Sequence, residues 1–581
     1  QGDSGSMELR SLVVSSRPCM PHGWRPFPLL AAATVAATVA TTSAAIPSAV
    51  PWNGGIGAEE KAATFGLEEL CDGGFLASSW TRRPALLRPG SGGRAASGGE
   101  GLPFTLSDLA RVLGSTDAKE LQSVGGASPD HRTSATSPQP TKRAGARPAA
   151  YFENATLIVN KVEERVPRLA RWVHRLAQAY GLVFQVNLYV TPPGSQAFAV
   201  HTDHQDIFAV QILGRKSWRI WDPDLAELPD NVRKRLFPLP VQSHQQWNLN
   251  DMEGLTLEDF PEPTMHARLE PGDLLHVPRG FLHLVSTADN TDAGSVHLTV
   301  GAVSPRYTYS FLGYFLATQP GIKESLASAG WSPRDYQAAQ GKVVNDRDRG
   351  REFRRLVPLG WAQRSYALHP DLQNNGTSTG EAIGCALAES EFSGMQDEVL
   401  STLMALFSRT LETAPAGLTW PLVLPDAALA AAGAKLAAHA ADLGERLAVA
   451  AMPPLPPPPG DDEVLELPAG RRITVRPGQA GEAEVCISSC AAHAACDARL
   501  GYPVHVLPML KVVAQSPTRH IDLHLLSELE RVTDPLPGLM LALDLVRSAA
   551  DPPFRLVPRS ESLDGQPREE ACRDSEEGVE L

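Results

Sequence analysis

Between residues 201 and 206 the chain reads HTDHQD, two overlapping copies of one metal-ligand pattern, His201-Thr202-Asp203 and His204-Gln205-Asp206. On a β-strand residues i and i+2 face the same side, so either copy could present an imidazole and a carboxylate to a single ion. A second imidazole from another strand would complete two-histidine, one-carboxylate ligation and leave one face of the metal open, the arrangement of non-haem Fe(II) oxygenases. Three histidines downstream are available for that role: His276 in LEPGDLLHV, His283 after a Pro-Arg-Gly turn, and His297 in SVHLTV. His276 and His297 lie inside apolar runs, where a packed core histidine is the plainer expectation. A lone His-x-Asp is weak evidence because exposed loops match it often, but its neighbours strengthen it. NLYVTPPGSQ places Asn187 and Tyr189 on one strand face, and Lys216 sits in GRKSWRIW. An anionic cosubstrate needs such a cation for its distal carboxylate, with neutral donors beside it.

A second cluster lies far downstream. Cys486, Cys490, His493 and Cys496 are separated by steps of four, three and three, which on a helix forms one stripe that could ligate zinc. The competing reading is a packed Ala/Cys-rich helix face, since one short helix does not readily wrap a tetrahedral ion. Trp218 and Trp221 read as barrel packing.

These residues need a scaffold, and the runs around them describe one. From Val183 to about Ser304 the chain is broken into VFQVNLYV, FAVQIL, SWRIW, GDLLHV, LHLVS and SVHLTVGA, separated by Pro/Gly/Asp turns, which predicts an all-β sandwich or barrel. Upstream, LPFTLSDLARVLGS predicts a short helix capped by Thr105 or Ser107, and ATLIVNKVEERVPRLARWVHRLAQAYG a strand and an amphipathic helix stopped by Gly181. The polar, Ser/Pro/Gly-rich stretch 115–148 reads as an exposed loop or insertion. The expected organisation is then a disordered or targeting extension at 1–60, an N-terminal helical cap with a low-complexity insertion at 61–150, a β core at 151–305, a helical segment at 306–415, an Ala/Pro-rich linker at 416–467, a small α+β domain at 468–560 and a disordered acidic tail at 561–581.

Composition narrows the function classes. A formal net charge of −14 argues against sequence-independent grip on nucleic acid, which needs a basic face. Seven cysteines over 581 residues are too sparse for a disulfide-stapled scaffold, and a reducing compartment is the default. The Ala/Ser/Thr-rich, acid-poor N-terminus permits an organellar transit segment; its alanines and threonines, interrupted by proline, do not make a membrane span.

The stretch NLYVTPPGSQAFAVHTDHQDIFAVQILGRKSWRIWDP, followed by LEPGDLLHVPRGFLH and SVHLTVG, resembles the JmjC, cupin-type domain of the ribosomal oxygenase family, which includes bifunctional lysine-specific demethylase and histidyl-hydroxylase proteins. The resemblance is strong over 150–304, and FLASSWTRRPALL is similar to the family's N-terminal segment. It implies a mainly β catalytic core, a double-stranded β-helix or jelly roll, with helical N-terminal and post-barrel segments and a small winged-helix-like α+β domain at the C-terminus. In the family pattern a Ser-Gln step lies shortly before the first ligand histidine and the cosubstrate lysine fifteen positions after it. Ser195-Gln196 and Lys216 meet that register with His201, so the resemblance implies His201, Asp203 and His283 as catalytic metal ligands. It also implies Asn187, Tyr189 and Lys216 as cosubstrate-binding residues, and puts His204 and Asp206 outside the ligand set. Strand periodicity alone leaves the two copies undecided. One departure stands out: Gly301 replaces the serine with which the family often ends the SVHLTV strand.

The cofactors so implied are Fe(II), with 2-oxoglutarate and O2 as cosubstrates, and the activity is hydroxylation of a histidine or arginine side chain on a ribosomal protein. Two alternatives stay open: a histone methyl-lysine demethylase of the same chemistry, and a catalytically silent interaction scaffold. The resemblance further implies a homodimer formed through the helical segment, no membrane partner, and a nuclear or nucleolar site, with an organelle as the alternative.

Overall fold

Alternation of apolar and polar side chains along the strand runs separates two faces, and the fold uses both. The computed structural model describes residues 70–88, 104–125, 142–236, 255–362, 389–413, 432–433, 463–466, 471–477, 482–489, 496–515, 520–521, 536–547 and 555–558, apart from 72, 117, 118, 329 and 497. The expected extension at 1–60, nearly all of the linker and the acidic tail lie outside these residues. Among the described residues no helix is long and apolar enough to cross a membrane.

The centre is a pair of antiparallel sheets. The larger joins β1 (Ala85–Leu87), β2 (Gln122–Gly125), β3 (Lys142–Ala144), β4 (Ala155–Asn160), β5 (Phe184–Thr191), β7 (Asp206–Leu213), β10 (Leu274–Val277) and β12 (Ser295–Ala302) in the order β1-β10-β7-β12-β5-β4-β2-β3. The smaller joins β6 (His201–Thr202), β8 (Lys216–Trp221), β9 (Met265–Leu269) and β11 (Leu282–Ser286) in the order β6-β11-β8-β9. Every run expected as a strand between 183 and 304 is one. Along β5 the residues alternate: Val186, Leu188 and Val190 are buried in the main core, while Gln185, Asn187 and Tyr189 are partly open on the other face. Between the sheets Ile207, Ala209, Trp218, Ile220, Leu275 and Val277 form a second core, in keeping with Trp218 as barrel packing.

Helices cover the outer face of the larger sheet. Helix α1 spans Gly73–Ser78, and α2 (Leu106–Ser115) starts at Thr105, whose side chain accepts from the Asp108 amide while Asp108 returns the bond to the Thr105 amide. Helix α3 (Pro167–Tyr180) has proline in its first turn and ends at Gly181 with φ 65°, a left-handed conformation glycine adopts at no steric cost. Helix α4 (Asp230–Arg235) lies within the β8–β9 connection, and after the barrel come α5 (Tyr309–Ala317), α6 (Ile322–Ser328), α7 (Pro333–Asn345), α8 (Arg351–Arg354) and α9 (Glu389–Glu412), the helices of the described part of 306–415.

The stretch 115–148 corrects the expectation. Rather than an exposed loop throughout, it supplies β2 and β3, paired with each other and, through β2, with β4, and Leu121 and Val124 are fully buried. Its polar composition hid two short strands at the edge of the sheet, β3 the outermost.

The C-terminal part is α+β: β13 (Glu463–Glu466), β17 (His520–Ile521) and β18 (Arg555–Pro558) make one three-stranded sheet, and β14 (Arg471–Pro477), β15 (Glu482–Ser489) and β16 (Ala498–Pro503) another, with helices α10 (Leu507–Gln515) and α11 (Leu536–Arg547). It packs onto the N-terminal part through a buried polar junction. Asp544 of α11 is ion-paired with Arg147, and accepts from the Ala149 amide at 3.3 Å and the Tyr502 hydroxyl at 2.8 Å. The helical Cys/His stripe is also corrected. Cys486 lies in β15 and is disulfide-bonded to Cys496, so two of the four supposed zinc ligands are committed to each other. Cys490 and His493 lie outside the described residues.

Glu163, at the turn between β4 and α3, is buried and accepts the Val186 amide at 2.8 Å. Burial raises its carboxyl from 4.5 to about 7. A raised folded-state value means the folded state holds the proton more tightly, so this group's contribution to stability is complete below 4.5 and is lost as pH rises through about 7. Glu163→Gln is therefore expected to leave stability at acid pH nearly unchanged and to raise it above neutrality, by up to about 3 kcal/mol. Urea unfolding midpoints across that range check it, and a variant less stable than the parent at high pH would refute it.

Candidate metal centre and cosubstrate pocket

The candidate metal ligands are brought together by one register. β6 pairs antiparallel with β11 so that His283 stands directly opposite His201. Opposed residues of such a pair share a face, with Cβ atoms about 5 Å apart. Asp203 follows β6 immediately, and the Gly280 amide, in the turn before β11, donates to the Asp203 carbonyl at 2.9 Å. The ligand atoms of His201, Asp203 and His283 all lie within 4.8 Å of one another, and His283 Nε2 is 3.5 Å from Asp203 Oδ2.

Both imidazoles are oriented in the same way. His201 Nδ1 is 2.9 Å from the Ala199 carbonyl and His283 Nδ1 is 3.1 Å from the Phe281 carbonyl. A carbonyl only accepts, so each Nδ1 carries the proton and each Nε2 keeps its lone pair toward the centre. Burial, reinforced by the neighbouring His201, holds His283 below the usual imidazole range, in the neutral form that a metal ligand must have. Two neutral imidazoles and one carboxylate suit a divalent iron-type ion.

Lys216 opens β8 and is buried, with Nζ 2.7 Å from Thr191 Oγ1 and 3.3 Å from His297 Nδ1. The Tyr189 ring stacks on His297 at 4.8 Å between centroids, with its own centroid 6.0 Å from Nζ. Among the described residues no carboxylate pairs with this lysine. Burial lowers it to about 7. A buried cation ringed by neutral polar groups is costly without a partner anion and fits a ligand carboxylate well. Four residues along β8 from Lys216 lies Ile220, the cross-strand partner of His283, so lysine and metal ligands are separated by about 13 Å of strand. A lysine side chain and a short dicarboxylate together fill such a span.

The sequence-derived residues thus divide as follows. His201, Asp203 and His283 form the centre; Lys216 and Tyr189 form the pocket; Asn187, on the same face of β5 as Tyr189, lies one step further along the barrel, opposite Thr299. His297, expected to be core packing, is instead a pocket wall, and Thr191 was not anticipated. Both come from the pairing of β5 with β12, which sets His297 opposite Tyr189. His276 is core, closed in by Phe75, Trp80 and Phe208. In the second copy, Asp206 is fully buried and accepts from Ser304 Oγ at 2.5 Å and from the Arg279 amide at 3.2 Å, a structural role away from the metal.

The fold and centre define a cupin-type domain with a two-histidine, one-carboxylate cluster, and comparison with known proteins specifies which: residues 162–309 match the JmjC domain, so the chain carries one. Rat "Ribosomal oxygenase 1" is 29% identical over 275 residues, 47% of this chain and 42% of that one. The Caenorhabditis elegans "Bifunctional lysine-specific demethylase and histidyl-hydroxylase NO66" is 34% identical over 125 residues, 22% of this chain and 14% of that one. The chain spans less than half the length of these curated relatives. The solved structure of Escherichia coli YcfD, a ribosomal oxygenase in complex with cobalt and 2-oxoglutarate, aligns over 83% of this chain and 97% of that one at 15% identity, with a TM-score of 0.26, a superposition too loose to transfer chemistry.

Proposed function

We propose that the chain is an Fe(II)- and 2-oxoglutarate-dependent oxygenase that hydroxylates a protein side chain, a histidine or arginine of a ribosomal protein. The observation that carries it is the convergence of His201, Asp203 and His283 within 4.8 Å, on the same barrel interior as the carboxylate-seeking Lys216. Bound iron, 2-oxoglutarate and O2 supply the chemistry that inserts one oxygen atom into a C–H bond, with succinate and CO2 as the other products. The chain's own residues bind and orient. His201, Asp203 and His283 would hold the metal, Lys216 and Thr191 would hold the distal carboxylate, Tyr189 and His297 wall the pocket, and Trp218, stacked on His283 at 5.8 Å, keeps that ring dry and fixed.

The curated relatives' names support a ribosomal or histidyl substrate. The same centre would also serve demethylation of histone methyl-lysine, and the product separates the two: a gained oxygen against a lost methyl group. The intact ligand set speaks against a silent scaffold. With this activity go a nuclear or nucleolar location, where ribosomal proteins are assembled, a homodimer formed through α5 to α9, and a winged-helix assignment for 468–560; tagged-chain imaging, sedimentation and a solved C-terminal domain respectively would decide these.

Purified chain given Fe(II), 2-oxoglutarate, O2 and acid-extracted ribosomal proteins is expected to release succinate and leave an oxygen on a histidine or arginine. His201→Ala should reduce both to background. Absence of succinate from the folded, iron-loaded parent would sink the oxygenase reading.

A further inference from the structure

The pairing of β5 with β12 lays out three levels on the barrel's inner face: Tyr189 opposite His297, Asn187 opposite Thr299, and Gln185 opposite Gly301. Lys216 marks the first level. The third abuts the metal ligands, because β12 also pairs with β7 there, Gly301 opposite Ile207 and Ala302 opposite Asp206, three residues after Asp203. A cosubstrate running from Lys216 to the metal therefore leaves the third level to the residue being oxidised.

That level holds two facing amides. Gln185 Nε2 donates to Gln205 Oε1 at 3.3 Å. The Gln205 side chain lies over Gly301, where a Cβ would overlap its Oε1 and stand 3.1 Å from its Cδ. Glycine at 301 is thus what admits Gln205 to the barrel mouth. The sequence departs at Gly301 from the serine of the family it resembles; in the fold the space over the glycine is taken by another polar group.

We infer that Gln205, seated on Gly301 and tied to Gln185, is the specificity-determining residue of the active site, selecting a side chain that offers one hydrogen-bond donor and one acceptor, as the neutral histidine imidazole does. Two amides bonded to each other keep one NH2 and one C=O free, whichever way each is turned, so the pair presents one donor and one acceptor. A neutral imidazole satisfies both. Guanidinium has donors only and satisfies one, and trimethylated lysine has neither. A site built to hydrogen-bond its substrate rejects analogues that leave its own polar groups unpaired.

The inference rests on the proposed oxygenase activity, and the test keeps the two apart. Gly301→Ala displaces Gln205 without altering it, at small cost because the overlapping atoms are the flexible end of a side chain; Gln205→Leu removes the amide. The iron-loaded full chain and both variants are compared in three measurements: 2-oxoglutarate Kd by calorimetry, succinate formed without protein substrate, and hydroxylated residues in acid-extracted ribosomal proteins by mass spectrometry. The expected result is a parent that marks histidine, and variants with unchanged Kd and unchanged succinate but histidine hydroxylation lower by about tenfold or more. Variants that hydroxylate histidine as well as the parent, variants that lose 2-oxoglutarate binding in parallel with hydroxylation, or a parent that marks arginine, removes methyl groups from lysine or marks nothing while making succinate, would each overturn the inference. A parent making no succinate would overturn the oxygenase reading, and this inference with it.

Discussion

Asp203→Ala will leave the chain folded and unable to hold a divalent metal, whereas Asp206→Ala will retain metal binding and lose stability. The two aspartates stand in identical local patterns, three residues apart, and the fold assigns them opposite tasks. Asp203 is partly open, its carboxylate 3.5 Å from His283 Nε2, so its removal strips one of three ligands from the centre without taking away a fully buried charge. Metal affinity should fall by more than about 100-fold, beyond the range typical of changes behind the ligands. Asp206 is fully buried and stands 3.8 Å from the guanidinium of Arg279, itself buried, while also holding the Arg279 amide and the Ser304 hydroxyl. Removing it strands a buried cation, a change that typically costs about 3–5 kcal/mol. Because Asp206 also steadies the turn that delivers His283, some loss of metal affinity should accompany that destabilisation, smaller than for Asp203. Equilibrium dialysis with Mn(II) and urea unfolding on the same samples distinguish the variants. Equal loss of metal by both, or metal retained by Asp203→Ala, would break the assignment of ligands.

That pair also shows where sequence reasoning ends. Strand alternation made both His-x-Asp copies competent, but it holds only inside one strand. β6 stops at Thr202 and β7 starts at Asp206, with the chain turning between them, so the copies do not belong to one strand. Nothing in HTDHQD itself announces that turn; the register came from resemblance, through the spacing to Lys216. Features set by neighbouring residues were legible: the Thr105 cap, the Gly181 stop, the alternation along β5. Features set by pairing distant segments were not. His297 reads as a core residue in SVHLTV and becomes a pocket wall only when β12 lies beside β5 with His297 opposite Tyr189. The β2–β3 hairpin was hidden by polar composition, and Cys486 and Cys496, ten residues apart, imitate helical spacing although Cys486 lies in β15 and Cys496 just before β16. Gly301 was visible as an oddity, but only the fold connects it with Gln205.

Lys216→Met will weaken 2-oxoglutarate binding by about 100-fold and abolish the pH dependence of that binding. The size follows from losing one charge-assisted contact in a buried pocket, about 2–3 kcal/mol at 1.4 kcal/mol per factor of ten. The pH effect follows from burial, which lowers the free lysine to about 7 from 10.5. A bound carboxylate favours the ammonium form and raises that value again. Binding above neutrality must then take up a proton, so affinity should be flat below about 7 and weaken by up to tenfold per pH unit above it. Methionine fills similar space with nothing to titrate, so the variant's weaker affinity should be level across this range. The ligand-free chain should respond in the opposite direction. A lowered folded-state lysine means that the unfolded chain binds the proton more tightly, so the parent gains stability as pH rises from about 7 toward 10.5. Below that window the buried ammonium costs the parent most, and Lys216→Met should be the more stable protein there, by on the order of 2–4 kcal/mol. Calorimetric titration of 2-oxoglutarate and urea unfolding, each from pH 6 to 9, measure both arms. Parent affinity that does not change with pH, or a variant that binds 2-oxoglutarate as tightly as the parent, would place the carboxylate site elsewhere in the barrel.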